Sequence, residues 1–109
     1  MFRFAMMAVL MPAMAGAVDW QWADGPAISA ALRDQSLIYD NATQSFFASG
    51  RTVYDAGEAS WGYWAVRGDQ YCSQWPPSDG WDCYDVMVKP GKIRFIGVDG
   101  SMTDGMVIE

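Results

Sequence analysis

The sequence predicts a mainly β protein: one short N-terminal helix, then an antiparallel up-and-down meander of about eight short strands. From position 37 onward, short runs rich in aromatic and β-branched residues alternate with pairs of turn residues. The runs follow each other too closely for crossover helices, so consecutive strands should be antiparallel neighbours. We expect the meander to form a small barrel or a half-open sheet, and closure would remove the exposed edges.

The first seventeen residues have the composition of a secretory signal peptide. Arg3 precedes an apolar run that ends in small residues between Ala15 and Ala17. The run is shorter than the roughly 20 apolar residues that a transmembrane helix needs. We therefore expect a signal peptide over 1–17, cleaved after Ala17 or alternatively after Ala15. A single β-rich domain over 18–109, with no membrane span, should then lie in the periplasm or be secreted.

One helix is predicted, shortly after an extended leader. Pro26 suits the first helical turn, where its missing N–H costs nothing. Ile28, Ala31 and Leu32 follow at helical spacing and form one apolar stripe. Asp34 and Gln35 mark the end of the helix.

Eight strands are predicted after the helix. Each is bounded by turn residues such as Gly, Pro, Asn and Asp, which supply positive or fixed φ angles. Their ranges are Leu37–Tyr39, Thr43–Ala48, Thr52–Asp55, Trp61–Arg67, Gln70–Trp75, Asp82–Lys89, Lys92–Val98 and Gly105–Ile108.

The two cysteines, Cys72 and Cys83, are expected to form a disulfide. An even number of cysteines in a small exported chain is typical of a structural bridge. Alternation along the two strands places Tyr71 and Tyr84 on a shared apolar face and both cysteines on the opposite face. The pattern therefore favours a bridge across a β-hairpin.

Composition excludes several function classes. The net charge of −6 argues against nucleic acid and anionic membrane surfaces as partners, because both need clusters of Lys and Arg. The segment Asp99–Gly105 alternates oxygen ligands but lacks the acidic density and closing Glu of a calcium loop. Neither a metal nor a cofactor is predicted.

Catalysis would have to rely on carboxylates. The chain contains no His, which excludes Ser-His-Asp and Cys-His arrangements. The remaining candidates are the pair Asp55 and Glu58, the pair Asp82 and Asp85, and Asp69. Each lies at a turn or strand end, where Asp commonly caps the backbone. No catalytic residue is predicted.

The aromatic residues are the better indication of a site. Alternation cannot direct all of them inward, because Trp61 and Tyr63 share one strand face and Trp64 lies on the other. Exposed rings beside polar groups are typical of contact sites for sugars, peptides or proteins. Trp61, Tyr63, Trp64, Trp75 and Trp81 are therefore the candidate ligand-binding residues. Alternatively, these rings cover the disulfide and close the barrel ends.

Part of this segment resembles a known group of proteins. The matching residues are Trp61-Gly62-x-Trp64-x-Val66, Gly68-Asp69-x-Tyr71-Cys72-x-x-Trp75 and Trp81-x-Cys83-Tyr84. The pattern is similar to that of small exported bacterial proteins of unknown function, mostly from alphaproteobacteria, in which a β-meander follows a signal peptide and a short helix. The resemblance implies export, a disulfide and a β-rich fold, and it implies no activity.

We expect an exported, monomeric binding or interaction module of the cell envelope, whose partner is an unidentified envelope protein or glycan. One alternative is a lipocalin-like carrier of a small apolar ligand, held in an interior void lined by Phe46, Tyr54 and Phe95. With so many large rings in a small chain, however, we expect the interior to be filled. The other alternative is a carboxylate-based hydrolase of envelope polysaccharide.

Overall fold

The computed structural model describes residues 19–108, and the predicted signal peptide lies outside that range. The helix α1 spans Gly25–Leu32, and nine strands surround it in sequence. They are β1 Gln21–Trp22, β2 Gln35–Ile38, β3 Thr43–Phe46, β4 Arg51–Asp55, β5 Ala59–Arg67, β6 Gln70–Gln74, β7 Trp81–Lys89, β8 Lys92–Ile96 and β9 Met102–Ile108.

Strands β2 to β9 form a closed antiparallel barrel. Each pairs with the next along the chain, and β9 returns to pair with β2 in the register Leu37↔Val107. The predicted mainly β meander is confirmed, and of the two predicted forms the closed barrel is the one observed. The extended leader contributes β1, which pairs with the second half of β7 in the register Gln21↔Val88.

Helix α1 covers one end of the barrel. Asp24 caps it by accepting a hydrogen bond from a first-turn backbone N–H at 3.0 Å. Ile28 and Leu32 are fully buried, and the helix contacts β2, β5 and β6. The backbone N–H of Gly25 donates to the Asp69 carboxylate at 2.8 Å, which ties the helix to the β5–β6 turn. Within residues 19–108, no helix has the length and apolar character needed to cross a membrane.

The apolar core fills the half of the barrel beside the helix. Phe46 lies at its centre, and its ring meets that of Trp64 edge to face at 5.7 Å between centroids. Aliphatic side chains from the helix and the surrounding strands complete this core: Ile28, Leu32, Leu37, Val86 and Ile93.

The disulfide joins β6 to β7 as predicted. Cys72 and Cys83 are direct partners across the two strands, with Cα atoms 4.0 Å apart. Tyr71 and Tyr84, the adjacent pair in the same register, point to the barrel interior. The alternation inferred from the sequence is therefore confirmed for this hairpin.

Candidate ligand-binding cavity

A cavity of about 660 Å³ occupies the half of the barrel away from the helix. It opens between the four loops at that end, residues 39–42, 56–58, 75–80 and 97–101, which we call the mouth. An eight-stranded barrel is just wide enough either to be filled by side chains or to hold one small ligand. The expectation of a filled interior is therefore wrong for this half of the barrel.

The floor of the cavity is a hydrogen-bonded polar layer centred on Gln44, whose exposed fraction is only 6%. Its carbonyl oxygen Oε1 accepts a hydrogen bond from the hydroxyl of Tyr39 at 2.8 Å. Its nitrogen Nε2 lies 3.0 Å from Thr52 Oγ1 and 3.2 Å from Tyr71 Oη, to both of which it donates. Because the amide oxygen and both amide N–H groups are hydrogen-bonded to protein groups, the floor is fixed before any ligand enters.

Aromatic rings from different strands form the cavity walls. Tyr54 lies between Tyr39, at 6.1 Å between ring centroids, and Trp75, at 6.3 Å. On another wall, the rings of Tyr71 and Phe95 are 4.9 Å apart, and Tyr84 completes that cluster. The walls therefore offer π surfaces with phenolic hydroxyl groups at their edges.

The position of Trp75 depends on a glycine in the neighbouring strand. A Cβ atom on Gly62 would come within 2.6 Å of the Trp75 ring and 2.5 Å of the Gln74 carbonyl oxygen. The ring approaches β5 this closely only because Gly62 has no side chain. The indole Nε1 donates to Ser73 Oγ at 3.1 Å, which fixes the ring in the wall.

Three tyrosines of the cavity wall, Tyr39, Tyr71 and Tyr84, stay neutral. Burial raises the pKa of Tyr71 to about 12, and it raises the pKa of Tyr39 further. Burial also raises the pKa of Tyr84, and the nearby charges of Asp82 and Asp99 add to that rise. The hydroxyl groups of these three tyrosines are therefore protonated at physiological pH.

The predicted aromatic site residues do not form one surface. Trp75 lies in the cavity wall, but Trp64 belongs to the core, with an exposed fraction of 6% and its Nε1 bonded to the carbonyl oxygen of Phe47. Trp81 lies on the outside of the barrel, where the guanidinium of Arg67 covers its ring at 4.4 Å. Alternation had separated these faces correctly, but the sequence could not show which rings the closed barrel would bury.

Trp61 and Tyr63 lie on the outer surface and have exposed fractions of 50% and 43%. The Arg51 guanidinium lies 4.9 Å from the Trp61 ring and 5.4 Å from the Tyr63 ring. Phe47 stacks on Trp61 with centroids 5.9 Å apart. We call these four residues the outer aromatic patch. Trp61 also reaches the mouth, so it borders both this patch and the cavity.

Three of the carboxylates considered as catalytic candidates, Asp55, Asp69 and Asp85, accept hydrogen bonds that support the fold. Asp69 holds the helix, and Asp55 accepts a hydrogen bond from the backbone N–H of Gly57 within the β4–β5 turn. Asp85 accepts from the side chain of Gln70 on the outside of the barrel. Among residues 19–108, no carboxylate lines the large cavity, and no cluster of three or more metal-ligating side chains occurs.

The sequence did not single out Gln44 or Ser73, the buried polar residues of the cavity. The signal was available for Gln44, since it alternates with the inward residue Phe46 in β3. Of the three residues named for an interior void, Tyr54 and Phe95 line the cavity and Phe46 lies in the core.

Fold and site together describe a closed eight-stranded β-barrel with one covered end and one open, aromatic-lined end. Comparison of the chain with protein-family models, with curated proteins and with solved structures gives no match. The resemblance to small exported bacterial proteins thus stays a prediction.

Proposed function

We propose that this protein is a binding protein or carrier that holds one small organic molecule in the open half of its barrel. The observation that carries the proposal is the cavity itself, whose volume of about 660 Å³ lies within the range of small-molecule sites. Its combination of aromatic walls and a few fixed polar groups is typical of such sites. This is the carrier alternative of the sequence analysis, with a more polar interior than an apolar ligand would require.

The hydrogen bonds of the floor support the proposal because they preorganise the cavity. Gln44 links Tyr39, Thr52 and Tyr71, so these groups need no rearrangement when a ligand binds. A site that is already ordered avoids part of the entropy cost of association. The hydroxyl groups at the edges of the rings can orient a ligand that has polar substituents.

We place this function outside the cytoplasm. The Cys72–Cys83 bridge is compatible with an extracellular or other oxidising compartment, where disulfides persist. The predicted signal peptide and the resemblance to exported proteins support a periplasmic or secreted protein.

A second candidate function is contact with an envelope glycan or protein through the outer aromatic patch. Its support is the exposure of Trp61 and Tyr63 and the stacking of Arg51 on both rings. Flat exposed rings beside a guanidinium suit the apolar face and the polar groups of a sugar. By contrast, nothing in the cavity supports the hydrolase alternative.

Titration with the neutral fluorescent dye N-phenyl-1-naphthylamine tests the carrier function. We expect saturable binding of one dye per chain. Thr103→Phe at the mouth should weaken it at least about tenfold, equivalent to about 1.4 kcal/mol, because the new ring occupies the cavity. Thr43→Phe is the matched control, since Thr43 is exposed near the same end of the barrel but does not line the cavity.

Ser60→Phe is a second variant of the cavity lining, for the case that Thr103→Phe does not fold. Thermal melting shows whether each variant is folded. Unchanged dye affinity in two folded lining variants would show that the dye binds elsewhere. Loss of binding in Trp61→Ala/Tyr63→Ala with full binding in Thr103→Phe would favour the outer aromatic patch instead.

A further inference from the structure

The basic residues of the barrel lie away from its mouth, where carboxylates cluster. Six carboxylates lie in the loops of the mouth or within two residues of them: Asp40, Asp55, Glu58, Asp79, Asp82 and Asp99. No Lys or Arg lies in those loops. Five of the six basic residues in the described range lie at the helix end, and the sixth, Arg94, is paired with Asp104 on the outer wall. A ligand that enters the cavity therefore passes a region of negative potential.

The cavity walls, like the mouth, favour a positively charged ligand. Seven aromatic residues line the cavity, and ring faces carry the negative end of the aromatic quadrupole. A cation near such faces is attracted, more strongly once it has lost its water. An anion would meet the carboxylates first and the ring faces afterwards.

The field of two mouth carboxylates reaches the cavity wall. The charges of Asp82 and Asp99 both raise the pKa of Tyr84, after the larger effect of burial. A field that disfavours a phenolate on this wall stabilises a positive charge at the same place.

The absence of carboxylates from the cavity lining within the described residues narrows the class of cation. A primary ammonium brings three N–H donors, and each costs free energy if it is buried without an acceptor. Gln44 already donates both N–H groups and accepts from Tyr39, and Ser73 already accepts from Trp75. Among the side chains of the lining, an ammonium would therefore meet only uncharged oxygens and no carboxylate. A fully alkylated ammonium has no N–H to satisfy and suits aromatic walls.

We infer that the ligand of this cavity is an organic monocation with an alkylated head group, of the quaternary ammonium class, guided inward by the acidic mouth and held among the wall rings. This inference rests on the proposed carrier function and adds to it the charge and chemical class of the ligand.

Calorimetric titration with choline and with its uncharged carbon isostere, 3,3-dimethylbutan-1-ol, tests the inference, because the two probes share shape and hydroxyl group. We expect choline to bind at least about tenfold more tightly than the isostere. A tenfold ratio corresponds to a cation–π contribution of about 1.4 kcal/mol. The double variant Glu58→Gln/Asp82→Asn removes two negative charges from the mouth. One charge roughly 10 Å away in water changes affinity about twofold, so choline affinity should fall about fourfold at low ionic strength. The isostere should bind unchanged.

The double variant Asp19→Asn/Asp85→Asn is the matched control. It removes the same net charge at positions away from the mouth, and choline affinity should stay the same. If the isostere binds as tightly as choline, or if both double variants weaken choline equally, the inference is wrong. In that case N-phenyl-1-naphthylamine binding still supports the carrier function. If neither probe nor the dye binds, both the inference and the proposed function fail.

Discussion

Replacing Gln44 by Leu tests whether the polar floor of the cavity stabilises the barrel. The substitution keeps a side chain of similar size but removes hydrogen bonds to Tyr39, Thr52 and Tyr71, at 2.8, 3.0 and 3.2 Å. Thr52 retains its own acceptor, the carbonyl oxygen of Ser45 at 2.7 Å. The two tyrosine hydroxyls lose a partner and must turn toward water in the cavity.

The magnitude follows from those bonds. Three hydrogen bonds at about 1 kcal/mol each amount to about 3 kcal/mol. Burying an apolar side chain instead of an amide returns about 1 kcal/mol. We therefore expect the free energy of unfolding to fall by about 2 kcal/mol, a large fraction of the stability of a domain this small.

Urea unfolding followed by tryptophan fluorescence measures the change. Gln70→Leu is the control, because Gln70 donates a single exposed hydrogen bond to Asp85, and its loss should cost less than about 0.5 kcal/mol. A double-mutant cycle with Tyr39→Phe should show a coupling of about 1 kcal/mol for the shared bond. If Gln44→Leu is as stable as the parent protein, the floor does not stabilise the fold and the reasoning fails.

Three further perturbations test the disulfide, a close approach and an ion pair. Removing the Cys72–Cys83 bridge, whose partners are 11 residues apart, should cost about 3 kcal/mol in the chain-entropy model and lower Tm by more than about 10 °C; an unchanged Tm under reducing conditions would contradict this. Gly62→Ala should cost about 1–3 kcal/mol and weaken dye binding, since a Cβ there meets the neighbouring strand at 2.5 Å; a variant equal to the parent in both would show that the wall can yield. Asp104→Asn should cost less than about 1 kcal/mol at neutral pH, because its partially exposed carboxylate receives a hydrogen bond from Arg94. That bond lowers the pKa of Asp104, so its contribution should be lost as pH falls below the ordinary value of 3.8, and chemical unfolding at several pH values should show the difference between the two proteins shrinking there.

Local patterns were sufficient to predict the helix, most strand positions and the cysteine pair. Pro26 and the stripe ending at Leu32 specify α1 through interactions within two turns. Alternation on β6 and β7 fixes the register of Cys72 and Cys83, because a shift by one residue would exchange the buried and exposed faces. These features depend on residues that are close in sequence.

Barrel closure and the cavity depend on long-range geometry, which the sequence pattern does not specify. The pairing of Leu37 with Val107 closes the barrel, and nothing near either residue indicates its partner. Alternation likewise separates Trp64 from Trp61 and Tyr63, but it does not indicate that Trp64 packs in the core while Trp75 lines an open cavity. That difference is set by their distance from the helix that covers one end.

Two inward glycines explain why large rings leave the cavity open. Gly62 on β5 makes room for the ring of Trp75, which follows the adjacent strand β6. Gly105 on β9 does the same for Tyr39, which follows the adjacent strand β2; a Cβ atom on Gly105 would lie 2.9 Å from that ring. With a side chain at either position, the ring would have to move toward the barrel axis. Because both rings lie along the wall and the Gln44 amide holds Tyr39 there, the space at the centre of the open end stays free for a ligand.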